Sequence, residues 1–365
     1  MIVPISGQVT GEQEALNVAE VANSNHYGGG IWTERFEKGF AAFNGKRYGV
    51  MCNSGSSAVL LALAALELPK GSRVLTCAVN FPTTVNAIIQ CGHIPIFVDA
   101  DPRTLNISEF VDNVDAAIIA HTLGNPVDIP DLPYPVIEDC CDAVGSKING
   151  QMVGHRGVMS CYSFYPAHHI TTGEGGMVLT DDPKLKKILE SYRDWGRACW
   201  CEPGCDNTCG KRYAGDYDHK MSYDRIGYNL KASDFQAAIG VAQLERLPGF
   251  VIKRKLNWQY LYDRLGSLPI EIIEPTGDPS WFGFPFLVEN RNEFAKYLDS
   301  KGIGNRPIMA GNILRQPAYK SVQCEIINGT SGADTIHSHG LWTGVFPGIT
   351  IEMLDFVIEA FYDHF

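Results

Sequence analysis

Residues 163–176 read SFYPAHHITTGEGG and hold two adjacent histidines, His168 and His169, in a loop ahead of an apolar strand. A single loop histidine is more often packed or solvated than catalytic. Imidazole is nonetheless well suited to taking a proton near neutral pH. Ser163 and Tyr165 stand at the start of the same loop. Upstream, VIEDCCDAVGS places Asp139 at the end of an apolar run, at the carboxyl edge of a sheet where ligands bind. A carboxylate there either caps a helix or holds a cofactor ring nitrogen protonated, making the ring an electron sink. In CNSGSSAVLLAL the chain passes from a strand through Asn53–Ser57 into a helix, which offers free N–H groups and hydroxyls to a phosphate. A plain serine N-cap is the alternative.

The thiols form a second constellation. Of eleven cysteines, Cys199, Cys201, Cys205 and Cys209 crowd into one short polar, glycine-rich segment, and Cys140 and Cys141 are adjacent. In a chain expected to be cytoplasmic, such crowding points to metal or redox chemistry more than to disulfides. Four converging cysteines suit an iron–sulfur cluster, a Cys₄ zinc site, or simply free thiols. Cys52, Cys77, Cys91, Cys161 and Cys324 read as small packing residues.

These groups need a scaffold, and the hydrophobic pattern predicts one. Short apolar runs (YGVMC, RVLTC, IPIFVD, AAIIA, PVIED, MSCYSF, GGMVLT) alternate with the helical stretches SSAVLLALAALE and TTVNAIIQCG. That alternation predicts an α/β domain on a mainly parallel sheet. The helical stretch ASDFQAAIGVAQLERL closes this large domain, 1–245, and the cysteine-rich loop lies at 196–217. Residues 246–365 predict a smaller α+β domain, with a strand near FGFPFLV and the terminal helix EMLDFVIEAFYDHF.

Bulk properties limit the partners. A formal charge of −11 argues against nucleic acid, whose phosphates need clustered Lys and Arg. No apolar run approaches the length of a membrane span, and MIVPISGQVTGEQEA lacks a signal-peptide pattern, so a cytoplasmic location is expected.

The motifs NSGSSA, NFPTT, IPIFVDADPRTLNIS, VIED, SFYPAHHITTGEGG and GYNLKASDFQAAIG, in this order, resemble the sugar-aminotransferase family of fold-type I pyridoxal-phosphate enzymes over nearly the whole chain. The resemblance implies that Gly55, Ser56 and Ser163 hold the cofactor phosphate, Asp139 its ring nitrogen and Phe81 a ring face. Asn229 matches an asparagine that reaches the neighbouring subunit's phosphate, which implies a homodimer. The family's Schiff-base lysine falls at His168, and ordinary transamination needs that amine. The departure is similar to the sugar-nucleotide 3-dehydratases, which use pyridoxamine phosphate and a histidine base. A lysine would recapture the cofactor, whereas a histidine only moves the proton. Asp142 and Tyr165 match active-site positions of that group.

From Cys141 the spacing C-x57-C-x-C-x7-C leads to Cys199, Cys201 and Cys209. It resembles the iron–sulfur branch of the group, the CDP-4-keto-6-deoxy-glucose 3-dehydrases, and implies a 2Fe–2S cluster on those four thiolates. Cys140 and Cys205 fall outside the pattern. The implied substrate is an NDP-4-keto-6-deoxyhexose that loses its C3 hydroxyl. The sequence lacks a flavin or nicotinamide fingerprint of the G-x-G-x-x-G type between strand and helix, so electrons are expected from a separate reductase or ferredoxin. Lys211, Arg212, Arg306 and Arg315, in GKRY and near GNILRQPAY, are either donors to the nucleotide diphosphate or solvated surface charge. Two rival readings remain: redox-silent dehydration with the cofactor recycled by glutamate, and a non-catalytic metal-binding protein on an aminotransferase scaffold.

Overall fold

The computed structural model describes residues 1–201, 207–210, 212 and 216–365. Each predicted apolar run of the large domain forms a strand: Tyr48–Cys52 (β1), Arg73–Cys77 (β2), Ile94–Val98 (β3), Ala116–Ala120 (β4) and Val136–Asp139 (β5). A small hairpin, Lys147–Ile148 (β6) and Gln151–Met152 (β7), precedes Met159–Ser163 (β8) and Gly176–Thr180 (β9). The large sheet runs β1-β9-β8-β5-β4-β2-β3, with the short strand Glu325–Ile326 as an eighth at the far edge. Its strands are parallel except β9, which runs antiparallel between β8 and β1. Because two antiparallel pairings separate them, β1 and β8 point the same way. The carboxyl ends of β1, β5 and β8 therefore open on one edge.

Helices cover both faces, which is why β8 and β9 are buried at every position. Glu12–Ser24 (α1) and Ile31–Phe43 (α2) pack on one side with a long helix from Asp234 to Leu265. Phe36, Phe40, Tyr162 and Phe164 meet edge-on there, with centroids 4.9–5.0 Å apart across the α2–β8 contact. Gly55–Ala65 (α3), Pro82–Gln90 (α4) and Pro183–Arg193 (α5) cover the other face. The sequence of α3, GSSAVLLALAA, is apolar nearly all round because it is wedged between the sheet and two neighbouring helices.

The expected division at 245/246 lies inside the Asp234–Leu265 helix, which also carries Pro248. Proline removes one hydrogen bond and usually ends a helix. Here both halves are anchored by packing: the first against α1 and α2, the second through Trp258, Leu261 and Leu265 in the small-domain core. Ser233 and Gln236 form the capping box at its start. The small domain has a four-stranded antiparallel sheet from Glu271–Ile272, Gly283–Leu287, Asn305–Pro307 and Gly340–Gly344, backed by the terminal helix Ile351–His364. Val3 bridges to Ile303, so the N-terminal segment joins this smaller core.

One buried polar group fixes the middle of the large sheet. Glu138 accepts from Gly157 N–H (2.5 Å) and Gly154 N–H (2.7 Å), and His121 Nε2 lies 3.0 Å from the same carboxylate. His121 Nδ1 accepts the Val127 N–H, so the ring's proton sits on Nε2. Burial pushes the Glu138 pKa up, but the His121 contact and the glycine N–H groups outweigh it and hold it below the usual range. A depressed carboxylate pKa adds stability above its unfolded value of about 4.3, and that stability is lost as pH falls through the folded value. Glu138→Gln must face at least one N–H with an amide NH₂, so it should cost about 1–3 kcal/mol at neutral pH. In thermal melts the gap from wild type should narrow below about pH 4. A gap that stays constant down to pH 2 would contradict an ionised Glu138.

Candidate functional site

The open edge of the sheet gathers the cofactor-type residues. Ser54 caps α3, its Oγ accepting the Ser57 N–H at 3.1 Å, which leaves the earlier N–H groups of the helix free. A Cβ on Gly55 would lie 2.5 Å from Ser163 Cβ, so only glycine lets the helix start against the end of β8. Ser56 is exposed and its hydroxyl is 2.9 Å from Thr83 Oγ1 at the start of α4. The first helix N–H groups, the Ser56 hydroxyl and the Ser163 strand end are donors that could hold an anion. Phe81, the N-cap residue of α4, keeps 57% of its surface exposed.

Asp139 ends β5 on the floor of this edge. Thr84 Oγ1 donates to one carboxylate oxygen (3.0 Å) and the Cys141 N–H to the other (3.2 Å). Burial raises the Asp139 pKa against these hydrogen bonds. A cationic ring N–H is the kind of partner that would keep it ionised. Thr84 went unnoticed in the sequence, although NFPTT placed it one turn beyond Phe81.

The two histidines of the 163–176 loop are opposites. His169 is buried, with Nε2 3.0 Å from the Ser280 carbonyl oxygen, and burial, with the nearby Arg254 charge, drives its pKa well below the ordinary value. It is a neutral packing residue. His168 is partly exposed, with Nδ1 3.4 Å from Asp142 Oδ1, an ion-pair distance without hydrogen-bond geometry. A carboxylate beside Nδ1 favours the proton there and leaves Nε2 as the basic nitrogen, the arrangement of a positioned general base. The His168 ring also lies 5.3 Å from that of Phe282. Its backbone is held at both ends: its N–H donates to the Tyr165 carbonyl (2.9 Å), and its carbonyl accepts from Arg254 Nη2 (3.1 Å).

Arg254 has no local signal in the sequence. It is fully buried in the long helix and donates to the carbonyls of Ala167, His168, Trp281 and Phe282 at 3.0–3.5 Å. Burial lowers its pKa to about 9, partly opposed by Asp142. Tyr165 is 52% exposed and donates its N–H to Ser163 Oγ at 3.3 Å.

The thiols separate into two places. Cys199, Cys201 and Cys209 converge with His219, whose Nδ1 is 3.3, 3.8 and 3.0 Å from their sulfurs. Cys141, expected as the fourth ligand, is not in that group; its sulfur faces the Cys161 carbonyl at 3.9 Å beside Asp139. The donor set suits a thiophilic metal centre. Cys205 lies outside the described residues.

The expected substrate donors are scattered. Lys211 lies outside the described residues. Arg212 pairs with Asp218 (3.2 Å) and Arg315 with Asp334 (2.7 Å). Arg306 is exposed on the edge strand and bonds the Asn305 carbonyl. Asn229 is exposed, and its amide oxygen accepts from Lys231 Nζ (2.6 Å), which leaves its NH₂ to donate outward.

Comparison with known proteins bears on the family and the fold. The DegT/DnrJ/EryC1/StrS aminotransferase family matches residues 8–362. Among curated proteins, the chain is 45% identical over 401 aligned positions to the lipopolysaccharide biosynthesis protein RfbH of Salmonella typhimurium, covering 100% of this chain and 92% of that one. It is 41% identical to a dTDP-4-dehydro-2,6-dideoxy-D-glucose 3-dehydratase of Saccharopolyspora spinosa, covering 97% and 85%. Among solved structures, the E. coli GDP-4-keto-6-deoxy-D-mannose-3-dehydratase with bound hydrated PLP superposes with a TM-score of 0.89 at 28% identity, covering 99% of this chain and 100% of that one. With its family model matched over residues 8–362 and its mainly parallel central sheet, the chain belongs to the DegT/DnrJ/EryC1/StrS aminotransferase family.

Proposed function

We propose that the protein is a sugar-nucleotide 3-dehydratase that removes the C3 hydroxyl of an NDP-4-keto-6-deoxyhexose, using pyridoxamine phosphate and an iron–sulfur centre. The observation that carries this reading is His168: an imidazole backed by Asp142 and clamped by Arg254, in the loop where an aminotransferase keeps its lysine. Relatives named as 3-dehydratases at 41% and 32% identity support the substrate class, and a neighbour with bound PLP supports the cofactor class.

When bound, pyridoxamine phosphate would supply an amine for the C4 ketone and, once a proton leaves its C4′ carbon, the electron pair that flows toward C3 as the hydroxyl departs. The chain does the rest. Ser56, Ser163 and the first N–H groups of α3 take the phosphate, with Asn229 reaching across from a second subunit of a homodimer. Asp139 accepts the ring N–H and keeps it protonated. Phe81 covers one ring face. His168 Nε2 moves the proton, and Asp142 stabilises the charge that the ring gains. Tyr165 borders the sugar. Arg306 is the exposed cation best free to meet the diphosphate, since Arg315 and Arg212 already hold carboxylates. Replacing C3–OH by C3–H consumes two electrons and two protons and releases water. The metal loop would pass the electrons singly from a separate reductase or ferredoxin. A cytoplasmic site of action goes with this reading, since no helix among the described residues is long and apolar enough to cross a membrane.

The test is turnover on a panel of CDP-, dTDP- and GDP-4-keto-6-deoxyhexoses with pyridoxamine phosphate, under anaerobic conditions with a chemical reductant. A 3-deoxy ketosugar should form from one of them. Product formed without reductant, and sustained by glutamate, would favour the redox-silent branch instead.

His168→Asn should slow dehydration by about 10²–10⁴-fold through loss of the base, while absorbance of bound cofactor is retained. His169→Asn should lower thermal stability and leave the proton step intact. An active His168→Asn protein beside a dead but folded His169→Asn protein would reverse the assignment. Cys199→Ser should strip iron and sulfide while leaving cofactor binding intact, because the two sites share no residue. Concerted loss of both would refute their separation.

A further inference from the structure

We infer that the amino-terminal half of α5, with Lys184 and Lys187 beside Trp200, is the docking surface for the electron donor, and that this donor is an acidic one-electron carrier protein. The inference rests on the reading that the cysteine loop takes its electrons from a separate protein. It adds the surface, and the charge that the partner must carry.

The whole chain has a formal charge of −11, yet residues 183–201, PKLKKILESYRDWGRACWC, hold five cations and only two carboxylates. Three of the cations, Lys184, Lys186 and Lys187, stand in the first turns of α5. The positive end of a helix dipole favours carboxylates at that place and disfavours lysines, and the first turn of α5 contains no acidic residue. Helix stability does not explain the lysines. Lys186 pairs with Glu190 at 2.9 Å. Lys184 and Lys187 are three residues apart, so they share a helix face, and both are exposed. Among the described residues, neither ammonium is paired with a carboxylate.

After α5 the chain turns back along the helix. Gly196, at φ +84°, makes the reversal, and its N–H returns to the Ser191 carbonyl at 2.7 Å. Trp200, between Cys199 and Cys201, thereby comes to lie beside Lys187, whose Nζ is 4.9 Å from the ring centroid. The tryptophan is still 54% exposed. An exposed indole bordered by lysines has the make-up of an interface, an aromatic anchor with a charged rim. The patch is about two turns of helix from Asp194, which bridges to Asn229. It is therefore clear of the residue read as reaching a second subunit.

Electrostatics select the partner. A carboxylate-rich protein is repelled by most of so acidic a chain and attracted here, which steers its encounters to the side where two thiols flank the exposed indole. Each encounter passes one electron from the reduced carrier to the metal loop, and two encounters supply the pair that deoxygenation consumes.

The test uses full-length, anaerobically purified protein and an acidic plant-type ferredoxin as the probe. Lysine acetylation mapped by mass spectrometry should show Lys184 and Lys187 protected by the ferredoxin, while the exposed Lys296 and Lys320 react as before. Reduced ferredoxin should bleach the protein's visible absorbance at a rate that falls with salt. In Lys184→Glu/Lys187→Glu that rate should be at least about tenfold lower at low salt and nearly independent of salt, and Lys184→Arg/Lys187→Arg should restore it. Bleaching by the small methyl viologen radical should not slow in any variant. A Glu variant reduced by ferredoxin at the wild-type rate, or protection confined to other lysines, would overturn the inference while leaving the electron-transfer reading in place. Wild-type protein that methyl viologen cannot bleach would defeat that reading, and the docking inference with it.

Discussion

A buried guanidinium ties the reactive loop to the rest of the molecule. Arg254 gives up its hydration for four carbonyl oxygens, two from the histidine loop and two from residues 281–282 ahead of the small-domain strand Gly283–Leu287. No carboxylate hydrogen-bonds it among the described residues, and burial lowers its pKa to about 9, so the charge is held by dipoles with Asp142 as a more distant helper. Such a group is costly to bury and costlier to leave unpaired. It therefore fixes the loop, the long helix and the small domain as one arrangement. A lysine in the loop could be anchored through its bond to a cofactor. A histidine makes no such bond, and its backbone must be positioned by the protein.

The same economy runs through the pocket. His169, one residue away, is kept neutral by burial, with the Arg254 charge nearby. Asp139 is desolvated but given two donors, which leaves room on each oxygen for a cofactor N–H. The close approach of α3 to β8 depends on Gly55, since any side chain there would push the two apart. Sheet, helix N-terminus and loop thus meet at one edge for separate physical reasons, and the parallel order of β5 and β8 aligns them.

Much of this was legible in the sequence because it is local. Apolar runs of four to five residues became strands, and the helical stretches read after Ser54 and after Pro82 became helices. The motif order pointed to the pocket residues, and His168 rather than His169 is the one facing Asp142. What stayed hidden depends on distant partners. Arg254 looks like any cation in a VIKRK stretch until four carbonyls surround it. Pro248 reads as a stop, yet packing on both sides carries the helix through it. The approach of His219 to Cys199, Cys201 and Cys209 has no local signal, since it depends on how the loop folds back on itself.

The central claim is that this pocket works by moving a proton with an imidazole and offers the cofactor no amine. The direct measurement is borohydride reduction of the wild-type protein with bound pyridoxal phosphate, followed by peptide mass mapping, with His168→Lys as the positive control. The account predicts a reduced covalent pyridoxyl label on residue 168 of the lysine variant and none in the wild-type pocket. A stoichiometric label on a lysine of the wild-type protein would contradict it.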